Sequence, residues 1–370
     1  MKKYLLIVII LISCKGFAQK CEFELNGKIE GIDSGTIEIR LPKMDTSFTA
    51  LENKVNIVNG QFTFKGHILY PQITGLFINS DIETDLFFID AGKQSITIQG
   101  DTIKRLTSNA RTQKEFTERY LVTMASIDSM DTDWHRKYNA ITIKYSKIIP
   151  TNLEDSMQLV KVFLQNNKDL ILMNYIKQNP QSYIGLWHLL FSIRKNGYST
   201  IYDSSYFYIN SKLQNTLLGK EIYRKIKNAQ NVLVGSHFPS IPITDLNGQK
   251  IQLDDKALKE YTFIDFWFSS CGACILQFPE LNNIYSKWQN KGFEIISIST
   301  DLRRFENDWR KAIKKYNLLW TQYWDIDHLE STELSINFFP TNFLLDKNGK
   351  IIAKNIKPKE LAAFLELNLK

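Results

Sequence analysis

The sequence predicts a multidomain chain with a β-sandwich-like N-terminal domain, a helical middle region and a C-terminal α/β domain. Apolar and polar side chains alternate over the first hundred residues, whereas apolar residues recur at every third or fourth position in the next stretch. In the last third of the chain, segments with the alternation typical of strands are followed by segments with the spacing typical of helices. The predicted boundaries are 20–105, 106–231 and 232–370, after an N-terminal segment at 1–18.

The N-terminal segment resembles a secretory signal peptide. Residues 1–3 are cationic, and the apolar run at 4–12 is too short to span a bilayer, which needs about 20 apolar residues. We therefore expect export to the periplasm or cell envelope. Small residues favour cleavage after Ala18, but Leu-Ile-Ser-Cys ending at Cys14 resembles a lipoprotein box that would place a lipid anchor there. A buried N-terminal helix is the remaining alternative.

Composition and charge exclude several classes of protein. Apolar residues make up 44% and charged residues 23% of the 370 residues, which argues against a disordered chain or a multi-span membrane protein. The net charge is +7, yet residues 232–370 contain 17 Lys and Arg against 17 Asp and Glu. Because no long basic run is present, no nucleic-acid partner is expected.

Short alternating runs indicate strands in the N-terminal domain. These runs are 28–31, 36–41, 55–58, 61–64, 87–89 and 95–98. Asn59-Gly60 separates two of them, and this dipeptide between alternating runs is a strong hairpin signal. The pattern predicts a small all-β domain.

The middle region has helical periodicity, with apolar residues spaced three or four apart. One predicted apolar face contains Phe116, Tyr120, Met124 and Ile127, and a second contains Leu159, Val162, Phe163, Ile171, Leu172 and Tyr175. A last helix is expected at 205–228. These faces predict a helical module that packs against its neighbours.

Strands and helices alternate in the C-terminal domain, which predicts an α/β sheet containing a βαβ unit. The expected strands are 262–268, 293–299, 342–345 and 351–353. The expected helices are 272–289, 302–316 and one that follows Pro358, a residue favoured at the first helical position.

Cys271-Gly272-Ala273-Cys274 directly follows the first of these strands and begins the next helix. A helix N-terminus stabilises a thiolate through its partial positive charge and unpaired N–H groups. Cys271 is therefore expected to be the exposed nucleophile that attacks a disulfide. Cys274, one turn into the helix, is expected to be more buried and to resolve the mixed disulfide.

Other uses of a Cys-X-X-Cys pair fit less well. A zinc ribbon needs a second ligand pair, which neither Cys21 nor the histidines supply at metal spacing. Haem attachment needs His at position 275, where the chain has Ile, and a peroxiredoxin needs a hydroxyl residue where Phe268 stands. A disulfide across so short a loop would stabilise little. We expect neither a metal nor a cofactor.

Two further residues suit thiol chemistry. Asp265 lies six residues before Cys271 in an apolar strand, where burial would raise its pKa and enable proton exchange with Cys274. The alternative is an Asp held by backbone bonds at the strand end. Pro340 precedes a strand and is expected to be cis, which would make Phe339 a docking edge for an extended peptide; a trans turn proline is the alternative.

These motifs resemble the TlpA/ResA type of extracytoplasmic thiol–disulfide oxidoreductase. The resemblance covers about 235–370 and rests on 265–267, 271–274, Pro279 and 339–341, with 234–239 and 246–248 as lead-in. It implies a thioredoxin-like fold with a Cys271–Cys274 redox disulfide, an acid–base role for Asp265 and a cis Pro340. Substrate docking would involve Trp267, Phe339, Pro340 and Thr341. Residues 20–105 resemble a small β domain of unknown function.

The chain departs from the pattern of this family at Ser270, Ala273 and Gln277, where Trp, Pro and an acidic residue are usual. The resemblance implies a reductase or isomerase of protein disulfides. A membrane thiol carrier would reduce its disulfide again after each reaction, and cytochrome c maturation is one possible use. The rival hypothesis is a partner-binding protein whose redox domain is mainly a scaffold. Disulfide regulation through Cys21 is a third hypothesis.

Overall fold

The computed structural model describes residues 21–40, 48–99, 105–145, 149–253 and 258–369. The expected signal segment, with Cys14, lies outside these residues. The chain forms two compact units, 1–129 and 130–370, whose border falls within one continuous helix. The domain boundaries at 105 and 231 therefore stay predictions. None of the described helices is long and apolar enough to cross a membrane.

The N-terminal unit is rich in β-structure, as the sequence predicts. Its strands are Cys21–Ile29 (β1), Ser34–Arg40 (β2), Phe48–Ala50 (β3), Lys54–Val58 (β4), Gln61–Ile68 (β5), Gln72–Ile78 (β6), Ile82–Glu83 (β7), Phe87–Ile89 (β8), Gly92–Gln99 (β9) and Arg105–Ser108 (β10). Hydrogen bonds join them in the order β10-β9-β1-β5-β4-β2-β6-β7, with β3 on β5 and β8 on β6. Apolar side chains from most of these strands share one core.

The predicted hairpin at Asn59-Gly60 is confirmed. Val58 pairs with Gln61, and the two residues between them have φ angles of 50° and 70°. Positive φ at both central positions defines the tight turn that matches the twist of the flanking strands. Cys21 begins β1 and is exposed.

Helices occupy the middle of the chain. They are Arg111–Glu115 (α1), Leu121–Lys144 (α2), Thr151–Gln178 (α3), Tyr183–Asn196 (α4), Thr200–Tyr208 (α5), Ser211–Gln214 (α6) and Leu217–Gln230 (α7), with a π-helical turn at Phe116–Tyr120. The single helix predicted at 205–228 is wrong. The side chains of Asn210 and Thr216 accept hydrogen bonds from the amides of Lys212 and Gly219, and these caps begin new helices.

The predicted apolar face of α3 is only half correct. Leu172 and Tyr175 are buried, but Leu159, Val162 and Phe163 are 47–72% exposed. The 28-residue helix packs against α4 and α5, and burial is concentrated in its C-terminal half. Periodicity identifies an apolar face but not how much of that face a neighbour covers.

The C-terminal part of the second unit is a mixed sheet with helices. Its strands are Ile241–Thr244 (β11), Lys250–Leu253 (β12), Tyr261–Trp267 (β13), Phe293–Ser299 (β14), Thr321–Trp324 (β15), Thr341–Asp346 (β16) and Ile351–Lys354 (β17). Its α-helices are Gly272–Trp288 (α8), Glu306–Lys315 (α9), Leu329–Glu333 (α10) and Pro358–Asn368 (α11). The strand order is β12-β11-β15-β14-β13-β16-β17. This is the thioredoxin-like α/β domain that the sequence predicts.

The central strand β13 separates two apolar cores. It runs parallel to β14 and antiparallel to β16, so the predicted βαβ unit, β13-α8-β14, is confirmed. Phe263 and Trp267 pack in one core with residues of α8 and α11, whereas Ile264 and Phe266 pack in the other. Side chains alternate between the faces of a strand, so Asp265 points to the α8 side.

Candidate active site

The cysteine pair lies at the junction between β13 and α8. Cys271 is the N-cap of α8, and its Sγ accepts a hydrogen bond of 3.2 Å from the backbone N–H of Cys274. The two residues form a disulfide, with their Cα atoms 5.3 Å apart. A negatively charged atom at this position is stabilised by the unpaired N–H groups and the partial positive charge of the first turn, which is the electrostatic setting expected for a reactive thiolate.

Both cysteines are buried in this oxidised state. Cys271 is 5% exposed and Cys274 is 1% exposed. The expectation that Cys271 is an exposed residue is therefore corrected, although it is the more accessible of the two. Its side chain is turned toward the first turn of α8 and packs in the apolar core. The exposed surface at this point consists of the neighbouring residues Ser270, Gly272 and Ala273.

Asp265 is buried on the face of the sheet that packs against α8. Its neighbours two positions away on β13, Phe263 and Trp267, belong to the same apolar cluster as both cysteines, so the carboxyl group lies on the same side of the sheet. Asp265 is 1% exposed, and no described residue hydrogen-bonds its Oδ1 atom. Burial raises the pKa of Asp265 to about 7, because the charged form loses its hydration.

Trp267 does not lie where the resemblance implies. The side chain is 0% exposed, and its ring contacts Phe278 of α8 edge-on at a centroid distance of 5.2 Å. A substrate on the surface has no access to this ring in the oxidised state. Trp267 packs in the same apolar core as both cysteines, because the third and seventh residues of β13, Phe263 and Trp267, face α8.

The segment before β16 forms the other side of the site. The peptide bond between Phe339 and Pro340 is cis. The Phe339 ring contacts Phe268 edge-on at 5.5 Å, which joins this segment to the loop that carries Cys271. Thr341 is 5% exposed, and its hydroxyl donates a 2.7 Å hydrogen bond to the carbonyl of Phe338. Phe338 itself is 54% exposed, so it presents an apolar ring to solvent.

Comparison with protein families agrees with this geometry. A model of the AhpC/TSA family matches residues 234–354, and a model of a domain of unknown function, DUF4369, matches residues 23–116. The thiol-disulfide oxidoreductase ResA of a Bacillus cereus strain is 33% identical over 127 residues, which are 34% of this chain and 72% of that protein. The chain belongs to the ResA family of thiol–disulfide oxidoreductases. ResA of Bacillus thuringiensis subsp. konkukian is 34% identical over 37% of this chain and 77% of that protein.

Solved structures are also similar to parts of this ResA-family chain. The thioredoxin domain of a thiol-disulfide oxidoreductase from Bacteroides vulgatus is 34% identical and covers 38% of this chain and 99% of its own, with a TM-score of 0.34. A thioredoxin-like protein from Bacteroides caccae covers 60% of this chain and 86% of its own at 15% identity, with a TM-score of 0.40. Because the chain belongs to the ResA family, it is a thiol–disulfide oxidoreductase.

One carboxylate, which no motif in the sequence indicates, fixes the loop of this ResA-family site. Asp301 is 4% exposed and accepts hydrogen bonds from the backbone N–H of Ser269 at 2.8 Å and from its hydroxyl at 2.7 Å. The Ser299 hydroxyl donates a third bond at 2.8 Å. Because β13 and β14 are parallel neighbours, the residues that follow them meet at one sheet edge. Ser269 and Asp301 follow these two strands, so their positions in the sequence are the signal for this contact.

Replacing Asp301 with Ala is expected to loosen the loop before Cys271. The change removes the acceptor of three hydrogen bonds, so we expect the free energy of unfolding to fall by about 3 kcal/mol. Ser269→Ala removes only one of these bonds and should cost about 1 kcal/mol. Urea unfolding of both variants, with the rate of Cys271 alkylation after reduction, checks this. Equal stability of the two variants would contradict it.

Proposed function

We propose that this ResA-family protein reduces or isomerises protein disulfides in the cell envelope. The observation that carries the proposal is the Cys271–Cys274 disulfide at the N-terminus of α8, with Asp265 buried on the same side of the sheet. These groups support a thiol-exchange cycle, which needs a nucleophile at a positive helix end, a second thiol one turn further and a carboxyl group with a raised pKa.

The reaction is a two-electron exchange. In the reduced enzyme the Cys271 thiolate attacks one sulfur of a substrate disulfide, forms a mixed disulfide and releases the other sulfur as a thiolate. Cys274 then loses its proton to Asp265 and attacks the Cys271 sulfur. This step releases the second substrate thiolate and closes the Cys271–Cys274 disulfide. The substrate gains two electrons, and a separate dithiol must reduce the enzyme again.

The envelope location is supported by the sequence of the N-terminal segment, with its cationic start and its 9-residue apolar run. We propose cleavage that releases a periplasmic protein or leaves a lipid anchor on Cys14. A membrane thiol carrier would supply the reducing dithiol, and cytochrome c maturation is the use that the family resemblance suggests. Protein dithiols and disulfides are the substrates.

The reduction potential of the Cys271–Cys274 pair tests the direction of the reaction. We expect a value near or below about −250 mV, in the range of thioredoxin, because a reductase must be a stronger donor than its substrate. Equilibration of the protein against glutathione buffers, followed by alkylation and mass spectrometry, measures it. A value near about −120 mV, as in a strong oxidant, would reverse the proposed direction.

A further inference from the structure

The helical module contacts the redox domain through α7. Lys225 of α7 is only 1% exposed, and its Nζ donates a 2.7 Å hydrogen bond to the backbone carbonyl of Thr332 in α10. The same Nζ lies 3.4 Å from Oε1 of Glu333. A lysine is almost never fully buried unless it is paired, so this contact is a specific one between two elements 107 residues apart.

Glu333 makes further contacts with α7. Arg224 forms an ion pair with it, and the Asn228 side-chain amide donates a 3.2 Å hydrogen bond to its Oε2. The Glu333 side chain is 39% exposed, and ion pairs open to solvent contribute little. The hydrogen bond from the buried Lys225 side chain therefore fixes the position of α10, while the other contacts orient the Glu333 carboxylate. We call Arg224, Lys225, Asn228 and Glu333 the α7 brace.

Hydrogen bonds continue from the α7 brace toward Pro340. The Thr332 carbonyl also accepts the backbone N–H of Ser335 at 3.2 Å. Ser335 has a φ of 56°, in the left-handed region that non-glycine residues rarely adopt. The Asn337 side chain donates to the Ser335 carbonyl at 3.2 Å. Such a backbone conformation persists only where its surroundings hold it, and the α7 brace supplies part of that support.

Apolar packing follows the same route. Leu334 and Ile336 are buried in the core on the second face of β13. Val232, two residues after the end of α7, is buried in the same core. Phe339 packs at the border of this core and of the core that contains the cysteines. The segment 334–339 is thus held by the helical module at its beginning and by the active-site loop at its end.

We propose that Lys225 and Glu333 are positioning residues that hold the segment 334–339 in the conformation that docks protein substrates beside the cysteine pair. The proposal rests on the proposed function and gives the helical module a role in it. The module acts on substrate binding and leaves the chemistry of the cysteines unchanged. The reaction rate of small disulfides, which react without docking on Phe338 and Phe339, therefore does not depend on the α7 brace.

Backbone amide exchange tests the structural half of this proposal on the full chain. The amides of Leu334, Ser335 and Ile336 are hydrogen-bonded to carbonyls of α10. In Lys225→Met and in Glu333→Ala we expect them to exchange at least about fivefold faster, with amides of α8 unchanged. The control is Lys220→Met, the same replacement at an exposed lysine of α7, which should exchange like the unmodified protein. Unchanged exchange in both brace variants overturns the proposal.

Kinetics test the functional half. With insulin as protein disulfide and dithiothreitol as reductant, we expect KM to rise about fivefold in Lys225→Met while kcat changes less than twofold. The rate with the small disulfide 5,5′-dithiobis(2-nitrobenzoic acid) should stay the same. A fall in both rates together, or faster exchange with an unchanged KM, overturns the proposal. If the unmodified protein fails to reduce insulin, the proposed function fails, and the exchange result alone decides the role of the α7 brace.

Discussion

Replacing Cys271 with Ser is expected to abolish disulfide reduction, with a loss of at least about a thousandfold in turnover. The attacking species is a thiolate stabilised at the N-terminus of α8. A serine hydroxyl at the same place stays protonated and cannot form a mixed disulfide. Reduction of insulin driven by dithiothreitol, followed by turbidity, measures the loss. Turnover that survives this replacement undiminished would show that the proposed function is wrong.

Replacing Cys274 with Ser distinguishes the roles of the two sulfur atoms. Attack by Cys271 should still occur, but no second thiol is present to release the substrate. We expect a covalent complex that mass spectrometry detects and that dithiothreitol dissolves. Cys21→Ser is the matched control, since Cys21 is the cysteine outside the pair among the described residues, and it should keep full activity. A loss of activity there would instead favour regulation through Cys21.

The same variants decide between the enzyme and the partner-binding hypothesis. A scaffold protein would keep its partner after replacement of both Cys271 and Cys274, and the unmodified protein would show no turnover of protein disulfides. An enzyme loses its covalent complex in the double variant. We expect Cys274→Ser to form a covalent complex with its partner protein. We expect no such complex in the variant that lacks both cysteines.

Replacing Asp265 with Asn is expected to stabilise the protein above neutral pH. The pKa is about 7 in the folded chain and 3.8 in the reference state, so the folded chain binds the proton more tightly between these values. Stability is then greatest below about pH 4 and is lost as pH rises through 7, by about 4 kcal/mol at most. Asn cannot ionise and avoids this loss. Urea unfolding at pH 4 and pH 8 should show equal stability at the lower pH and a more stable variant at the higher.

The same replacement is expected to slow the enzyme. Asp265 accepts the proton of Cys274 in the resolving step, and removal of a general base typically costs about a hundredfold or more. The rate of the unmodified enzyme should rise with pH around 7, as Asp265 ionises, and this rise should be absent from Asp265→Asn. Stopped-flow measurement of insulin reduction between pH 5 and 9 gives both profiles.

Asp169 supplies the control for Asp265. It is also a buried carboxyl with a pKa raised by burial, but it lies in α3 and accepts a 2.9 Å hydrogen bond from Tyr202. Asp169→Asn should alter the stability and leave the pH profile of the redox reaction unchanged. If both variants shift the profile alike, the effect reflects general stability, and Asp265 has no role in proton transfer.

Local patterns in the sequence determine much of this protein. The β-rich N-terminal region, the Asn59-Gly60 turn and the βαβ unit follow from periodicity and turn chemistry, which depend on neighbouring residues. The cysteine pair could be located because a strand, two intervening residues and a helix start are all adjacent in the chain. Breaks between consecutive helices are harder to predict. The N-caps at Asn210 and Thr216 interrupt a stretch whose apolar residues otherwise keep a helical period.

Tertiary structure alone decided which side chains meet. The amino-acid sequence shows neither that α3 leaves Phe163 exposed nor that Trp267 is fully buried, because exposure depends on what packs against an element. Asp301 reaches Ser269 through the alignment of two parallel strands, and Lys225 reaches Thr332 across 107 residues. Contacts of this kind arise from the arrangement of whole elements, whose energies are set by long-range packing that no local pattern encodes.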